Sequence, residues 1–279
     1  MNNQIAVLLP VYKKDNPQFF ITTIGSLLAQ TLQDFKIFLG VDGPIEGELD
    51  KAVKECEGNS KFCVIQFKEN RGLACVLNDL IVAAMRQGHK YFARMDADDI
   101  CVNTRFERQM AFLESHPDVD VVGGKIEEID GNGVKNGKSV QYPLTHEDCR
   151  RFFRYRDPLA HPATFFRKSF FEKVAAMNKR ENIWYRPEYR KNQDTMLWFD
   201  GFRSGCVFAN LPETVLHFRV APDFYGRRNG WKRAKQMLSD RIKMNKALGY
   251  DISANIFAFC MFCMTMSPTF IKKFLYRIR

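Results

Sequence analysis

Directly after the strand-like run Tyr91-Phe92-Ala93-Arg94-Met95, the segment Asp96-Ala97-Asp98-Asp99 crowds three carboxylates into four residues. Their mutual repulsion is costly unless a cation offsets it. Hard Mg²⁺ or Mn²⁺ takes one or two protein carboxylates together with phosphate oxygens, so a short acidic loop suits a site shared by a metal and a phosphorylated ligand. The alternative is an exposed acidic turn, or a cap leading into a helix over 103–115. Two upstream features bear on that choice. Asp42, in Val41-Asp42-Gly43-Pro44, could accept hydrogen bonds from a base or ribose, although Asp-Gly-Pro is also good turn chemistry. Arg71-Gly72 opens a helix, where backbone N–H groups and a guanidinium could hold a diphosphate, unless Arg71 is a solvated loop charge.

The elements that must position these residues follow from apolar spacing. Ile5-Ala6-Val7-Leu8-Leu9 is a continuous apolar run closed by Pro10, as in a strand buried on both faces of a parallel sheet. A helix is expected over 17–32, with Pro17 in its first turn. A second strand spans 36–41, a helix 48–57, a third strand 62–67, a helix 74–86 and a fourth strand 91–95. Strand–helix alternation with short connections predicts right-handed crossovers and a doubly wound, mostly parallel sheet. In such sheets ligands gather at the carboxyl ends of strands, where Pro10 to Tyr12, Asp42 and Asp96 would converge. The half from 120 to 217 reads as shorter strands and long loops, punctuated by Gly123-Gly124, Gly131-Asn132-Gly133 and Asp157-Pro158.

The chain has 279 residues and is 46% apolar, enough to bury a full core. Its N-terminus does not read as a cleavable signal, which places the bulk in the cytoplasm. Eight cysteines lie mostly in apolar surroundings and read as reduced, packed thiols, the Cys260/Cys263 pair included. The net charge is +10, and the stretch from Arg219 onward carries 13 Lys and Arg against three Asp, an excess equal to that whole value. A basic C-terminal surface on a neutral body is therefore expected, and no nucleic-acid groove.

Taken together, these motifs resemble glycosyltransferase family 2, the inverting enzymes of GT-A fold, from Ile5 to about Arg228. Val7-Leu8-Leu9-Pro10-Val11-Tyr12 is similar to the family's first strand, Ser26 to Thr31 to its first helix and Val41-Asp42-Gly43-Pro44 to its Asp-Asp-Gly-Ser turn. Asn70-Arg71-Gly72-Leu73-Ala74 with Asn78 matches its Asn-x-Gly helix start, and Asp96-Ala97-Asp98 its DxD element. The resemblance implies a Rossmann-like nucleotide-binding half (1–119), an irregular acceptor half (120–218) and a helical C-terminal extension (219–279). It implies that Pro10, Val11, Tyr12, Asp42, Arg71, Gly72, Asp96 and Ala97 border the nucleotide-sugar, with Asp42 facing the base. Asp98 and Asp96 would hold Mn²⁺ or Mg²⁺, and Asp99 would serve the loop itself.

Inversion also needs a base for the acceptor hydroxyl. Asn192-Gln193-Asp194-Thr195-Met196-Leu197-Trp198 is similar to the family segment that supplies it, with Asp194 on the base and Gln193 where Glu is usual. The alternative for Asp194 is a cap on a helix beginning near Thr195. His161, Gln193 and Trp198 are placed on the acceptor side. The family's Tyr-Arg-x-His is Phe218-Arg219-Val220-Ala221 here, so that His is absent. Arg219, Arg227 and Arg228 could neutralise the leaving diphosphate or be solvated charges.

At the C-terminus a basic helix over 231–248 precedes an apolar stretch, 256–264, shorter than the about 20 residues a membrane span needs. With the basic and aromatic run 270–279, it predicts peripheral binding at the inner face of the cell membrane, or packing on the catalytic domain or in a homo-oligomer. The expected function is transfer of a sugar from a nucleotide-sugar, with UDP the family precedent, to a glycan or lipid-linked acceptor in cell-surface polysaccharide synthesis. The rivals are a nucleotidyltransferase, whose Gly-rich first loop is missing here, and a non-catalytic basic membrane- or nucleic-acid-binding module.

Overall fold

The structure is a computed structural model that describes residues 4–220 and 231–267. Arg227, Arg228 and the run 270–279 lie outside the described residues. The first half runs β1 (Ile5–Val11), α1 (Pro17–Leu28), β2 (Phe35–Val41), α2 (Gly47–Glu57), β3 (Phe62–Gln66), α3 (Leu73–Arg86) and β4 (Tyr91–Arg94). The chain continues through β5 (Ile100–Cys101), α4 (Arg105–Ser115), β6 (Val121–Ile129), β7 (Lys135–Val140), α5 (His146–Phe153), a 3₁₀ turn (His161–Ala163) and β8 (Phe165–Arg167). It closes with α6 (Lys168–Asn178), α7 (Gln193–Arg203), β9 (Phe208–Arg219), α8 (Trp231–Ala247) and α9 (Ile252–Met266).

One sheet carries the described strands in the order β3-β2-β1-β4-β8-β6-β9-β5, with β7 on the free side of β6. The strands β3, β2, β1 and β4 are parallel, as the strand–helix alternation predicts. Beyond β4 the sheet is mixed: β8 is antiparallel to both β4 and β6, while β6 and β9 run parallel. The acceptor half is thus more regular than its glycines suggest. Gly123 and Gly124 lie within β6, where an added Cβ would fall 2.7 Å from Val215 Cγ2 at Gly124 and would strike the Asn210 side chain at Gly123. They mark close packing against β9, not a break.

β1 shows why both faces of the sheet must be apolar. Ile5, Val7 and Leu9 enter a core with Phe20, Leu27, Val53 and Phe106, on the side of α1, α2 and α4. Ala6 and Leu8 enter a second core with Leu77, Leu80, Phe170 and Trp198, on the side of α3, α6 and α7. Truncating a fully buried aromatic such as Phe92 in such a core costs about 3–5 kcal/mol. Pro10 sits inside β1, one residue further than the closing role expected of it. Its missing N–H does no harm. Leu8 directs its carbonyl to Met95 and Val11 to Asp42, so Pro10, in phase with Leu8, faces the side where β4 has already ended.

α1 stops at Leu28, four residues short of the expected end. Beyond it Gln30 donates to the Val102 carbonyl at 2.8 Å and accepts from Phe106 N at 3.1 Å, and Thr31 N donates to Asn103 at 2.9 Å. These contacts with the β5–α4 connection replace further helical bonds.

α8 packs on the catalytic body. Met244 and Leu248 join the second core, Tyr250 Oη donates to the Arg150 carbonyl at 2.6 Å, and Arg154 pairs with Asp251 at 3.0 Å. α9 is different: only Ala254 and Ala258 are buried, and Ile252, Ile256, Phe259 and Met266 are exposed. Cys260 and Cys263, expected to be packed, lie exposed on this helix. Its apolar residues occupy the whole circumference, so most of them face outward. Among the described residues no helix is long and apolar enough to cross a membrane.

Candidate active site

The acidic loop leaves β4 with alternating directions. Asp96 and Asp98 are partly exposed, whereas Ala97 and Asp99 turn inward. Arg94, completely buried beneath the loop, ion-pairs with Asp96 and donates to the Met95 carbonyl. A buried guanidinium without such partners would cost several kcal/mol, so Asp96 is tied down by this pair. Asp99 is the loop's anchor: its Oδ1 accepts the Arg219 amide at 2.8 Å, and its carbonyl accepts Thr23 Oγ1 at 2.7 Å. Burial, reinforced by the charges of Asp98 and Asp96, pushes the Asp99 carboxyl well above the usual carboxylate range.

Asp98 makes no side-chain ion pair among the described residues, although the charges of Arg219 and Arg94 bear on it. Withdrawal from water, and then the charge of Asp96, push its carboxyl up to about 6. A second acid reinforces that field. Asp15, in the β1–α1 connection, accepts from Tyr12 N at 2.9 Å and is raised to about 7, chiefly by burial and then by Asp98 and Asp96. Asp15 was missed because Lys13-Lys14-Asp15-Asn16 reads as a solvated charged turn; its place just beyond a central strand end was the available signal. Among the described residues no group of three or more His, Cys, Asp or Glu converges as a cation cage. One or two carboxylates completed by phosphate oxygens are what Mg²⁺ and Mn²⁺ accept, and under-compensated Asp98 with Asp96 beside it fits that chemistry.

Arg219, read as a diphosphate ligand or a solvated charge, is buried and committed to the loop. Its Nε donates to the Asp98 carbonyl at 2.7 Å, its Nη1 to Asp130 and Gly131 at 2.9 and 3.0 Å, and its guanidinium lies 4.1 Å from the Phe19 ring centroid. It is the last residue of β9, so the strand runs one position past the boundary drawn at 218.

On the nucleotide side, Asp42 is tied into the loop that follows β3. Its Oδ1 accepts Arg71 N at 2.7 Å, and its Oδ2 accepts Asn70 Nδ2 and Gly72 N at 2.9 and 3.0 Å. Three donors leave it chiefly an organiser of the loop that starts α3. Arg71 is likewise engaged, ion-paired with Asp79 and stacked 4.2 Å over Phe67. Val11 and Ala97 are buried and offer a ligand only backbone, while Pro10 and Tyr12 are accessible at the strand end. Gly72 has φ +90°, and a Cβ there would sit 2.6 Å from Arg190 Nη1. Arg190, which no motif signalled, therefore crosses the N-terminal end of α3.

On the acceptor side, α7 begins at Gln193 and not near Thr195, with Asn192 as N-cap in the left-handed region. Asp194 is thus in the first turn and not the cap residue. Its Oδ1 accepts Thr195 N at 2.8 Å, and its carboxyl is raised to about 6 by burial, then by the charge of Asp157, with Asp96 adding to it. Asp194 therefore lies within electrostatic reach of the acidic loop. His161 Nε2 lies 2.8 Å from Tyr185 Oη, and Tyr185 is fixed by Asn78, whose Oδ1 accepts the amides of Trp184 and Tyr185 at 3.1 and 2.9 Å. Burial pushes His161 well below the usual imidazole range, so it stays neutral. Gln193 keeps a buried Oε1 with no partner among the described residues, an acceptor aimed at nothing in the protein. Trp198 is fully buried, stacked on Phe166, edge-on to Phe208 and edge-on to His161, so it can serve the acceptor side only by supporting His161.

A parallel half-sheet with carboxylates at its strand ends, joined to a mixed half, is the architecture of the GT-A fold. The chain belongs to glycosyl transferase family 2, whose model matches residues 6–206. It is 30% identical, over 97% of each chain, to the amylovoran biosynthesis glycosyltransferase AmsE of Erwinia amylovora. It is 26% identical to an Escherichia coli UDP-Gal:alpha-D-GlcNAc-diphosphoundecaprenol beta-1,3-galactosyltransferase, over 83% of this chain and 79% of that one. Among solved structures, S. aureus TarS 1-349 in complex with UDP-GlcNAc matches with TM-score 0.61 at 15% identity, covering 88% of this chain and 70% of that one. Against the longer TarS chain the coverage falls to 42% of its length. Family membership sets aside the nucleotidyltransferase and non-catalytic readings.

Proposed function

We propose that the chain moves a hexose, with inversion, from a UDP-sugar to a hydroxyl of a lipid-linked glycan during cell-surface polysaccharide synthesis, and that it needs Mn²⁺ or Mg²⁺. The observation that carries this reading is that Asp194 feels the charge of Asp96 in the acidic loop, while Asp98 of that loop and Asp194 are each raised to about 6. Raised carboxyls of this kind suit a site that gains positive charge on binding and moves a proton near neutral pH. Asp194 takes the proton of the acceptor hydroxyl as that oxygen bonds the anomeric carbon. The bond from that carbon to the diphosphate breaks on the opposite face, and its electron pair leaves with UDP. A divalent cation held by Asp98, with Asp96 beside it, would neutralise the diphosphate as its charge grows. The Arg190 guanidinium, which crosses the N-terminal end of α3, is available to the anion. Gln193 Oε1 is available to accept from the acceptor sugar.

UDP as the nucleotide and a lipid-linked acceptor draw support from the Escherichia coli relative, whose name specifies UDP-Gal and a diphosphoundecaprenol acceptor. The outward apolar residues of α9 and the C-terminal basic excess support peripheral attachment at the cytoplasmic membrane face, where such an acceptor would be met. The test is a panel of UDP-hexoses and UDP-N-acetylhexosamines, scored for UDP release with Mn²⁺ and with EDTA, with the anomer of the released sugar followed by ¹H NMR. Turnover lost in EDTA and an inverted first product are expected. Full turnover in EDTA would remove the metal, and a retained anomer would remove single displacement.

A further inference from the structure

Thr195 touches two carboxylates. Its amide donates to Asp194 Oδ1 at 2.8 Å and its hydroxyl to Asp157 Oδ2 at 2.8 Å. Asp157 lies between α5 and the 3₁₀ turn, and its other oxygen accepts Arg241 Nη2 at 3.3 Å. Arg241 comes from α8, outside the region matched by the family model, and is itself oriented by a 2.7 Å bond from Nη1 to the Phe153 carbonyl and by the Phe153 ring, 4.9 Å away. The side chains of Arg241 and Asp157 are 18% and 30% exposed, so their interaction is only partly screened.

We propose that Asp157 is a positioning residue for Asp194, holding the first turn of α7 through Thr195 and tuning the base electrostatically, and that Arg241 makes the C-terminal helix part of that support. The inference rests on Asp194 being the base. An anion at Asp157 opposes ionisation of Asp194, and Arg241 moderates it by holding and partly neutralising that anion. The other groups facing Asp194 are Asp96 from the acidic loop, which acts in the same sense as Asp157, and Tyr185 from the segment before α7, which is itself under the charges of Arg94, Asp194 and Asp96. Of these groups, Asp157 has a described hydrogen-bonded path to the turn that carries Asp194, through Thr195. The separation of α8 from the catalytic strands in sequence hides this link, since nothing in the spacing of Arg241 ties it to residue 157.

The charge chain predicts shifts of opposite sign. In the full-length protein with ¹³C-labelled aspartate carboxyls, the Asp194 resonance is assigned by its loss in Asp194→Asn. Asp157→Asn, which keeps an acceptor for Thr195, should move the Asp194 titration down by about one pH unit. Arg241→Met should move it up by a similar amount, and Arg241→Lys should return it toward the parent value. The acid limb of UDP-sugar turnover should follow in the same directions. Thermal melts at pH 7 confirm that each variant is folded, and Arg241→Lys serves where Arg241→Met is not. Titrations that stay within about 0.2 pH units in both variants, or that move the same way, overturn the proposal. Undiminished turnover in Asp194→Asn would instead remove the base assignment itself. Loss of turnover in that variant with no opposite shifts would remove only the role of Asp157 and Arg241.

Discussion

Arg219 fastens the acidic loop through Asp99: its amide donates to Asp99 Oδ1 at 2.8 Å while its guanidinium Nε reaches the neighbouring Asp98 carbonyl at 2.7 Å. The end of β9 and the end of β4 are thereby locked together, and Asp98 is presented to the crevice by residues some 120 positions apart in the chain. Arg219→Ala would remove the guanidinium's bonds to three carbonyls and uncover Phe19. The expected loss is about 2–4 kcal/mol in urea unfolding, with Arg219→Lys intermediate. A loss below about 0.5 kcal/mol would mean that the loop is held by other contacts.

Asp98 should carry a pH-dependent stability cost. Its carboxyl is raised in the folded state to about 6, so the stability it contributes is full below the unfolded value and is lost as pH rises through the folded one. Without metal, Asp98→Asn should therefore stabilise the protein at pH 8 by about 1–2 kcal/mol and do little at pH 4. Adding Mn²⁺ with UDP should raise the Tm of the parent at pH 8 and leave that of the variant nearly unchanged. Equal ligand-induced shifts in both would move the cation away from Asp98.

The base should reveal itself in the acid limb of catalysis. Because Asp194 is held at about 6, kcat/KM should fall tenfold per pH unit below that value as the carboxyl becomes protonated. A profile flat from pH 5 to 8 would be inconsistent with a base of this ionisation.

Local signals located most of the first half of the fold. The bounds of β2, α2 and α3 agree with apolar spacing to within a residue: β2 is a near-continuous buried run, and α2 and α3 each bury one apolar face against strands close in sequence. α1 was too long by four residues because Gln30 and Thr31 are claimed by the distant β5–α4 connection. β9, at 12 residues the longest strand described, was obscured by Pro212-Glu213, where the pairing with β6 shifts register. A strand whose partner lies some 90 residues away leaves little local trace.

The site divides in the same way. Asp96, Asp98, Asp99 and Asp194 were singled out from motif and position, and the structure leaves Asp98 partly exposed while it buries Asp99. Asp42 and Arg71 were placed on the ligand because a carboxylate and a guanidinium at strand and helix ends are good ligand groups; the structure adds that Asp42 binds the loop before α3 and that Arg71 pairs with Asp79. Asp15, Arg190 and Asp157 escaped notice because each acts through a neighbour distant in sequence.

α9 supplies a separate prediction about location. Its exposed Ile256 and Phe259, with the C-terminal excess of basic residues, should bind vesicles containing anionic lipid. Ile256→Asp with Phe259→Asp should reduce pelleting at least about tenfold while UDP binding is retained, since neither residue is near the crevice. Unchanged pelleting would assign these residues to another surface.

The most direct measurement compares Mn²⁺-dependent UDP-sugar turnover in the parent chain and in Asp194→Asn, with UDP binding measured alongside by calorimetry. The account predicts that the variant binds UDP as the parent does and loses at least about 100-fold in kcat. Parental kcat in Asp194→Asn would contradict it, because no other described carboxylate occupies the acceptor side of the crevice in the first turn of α7.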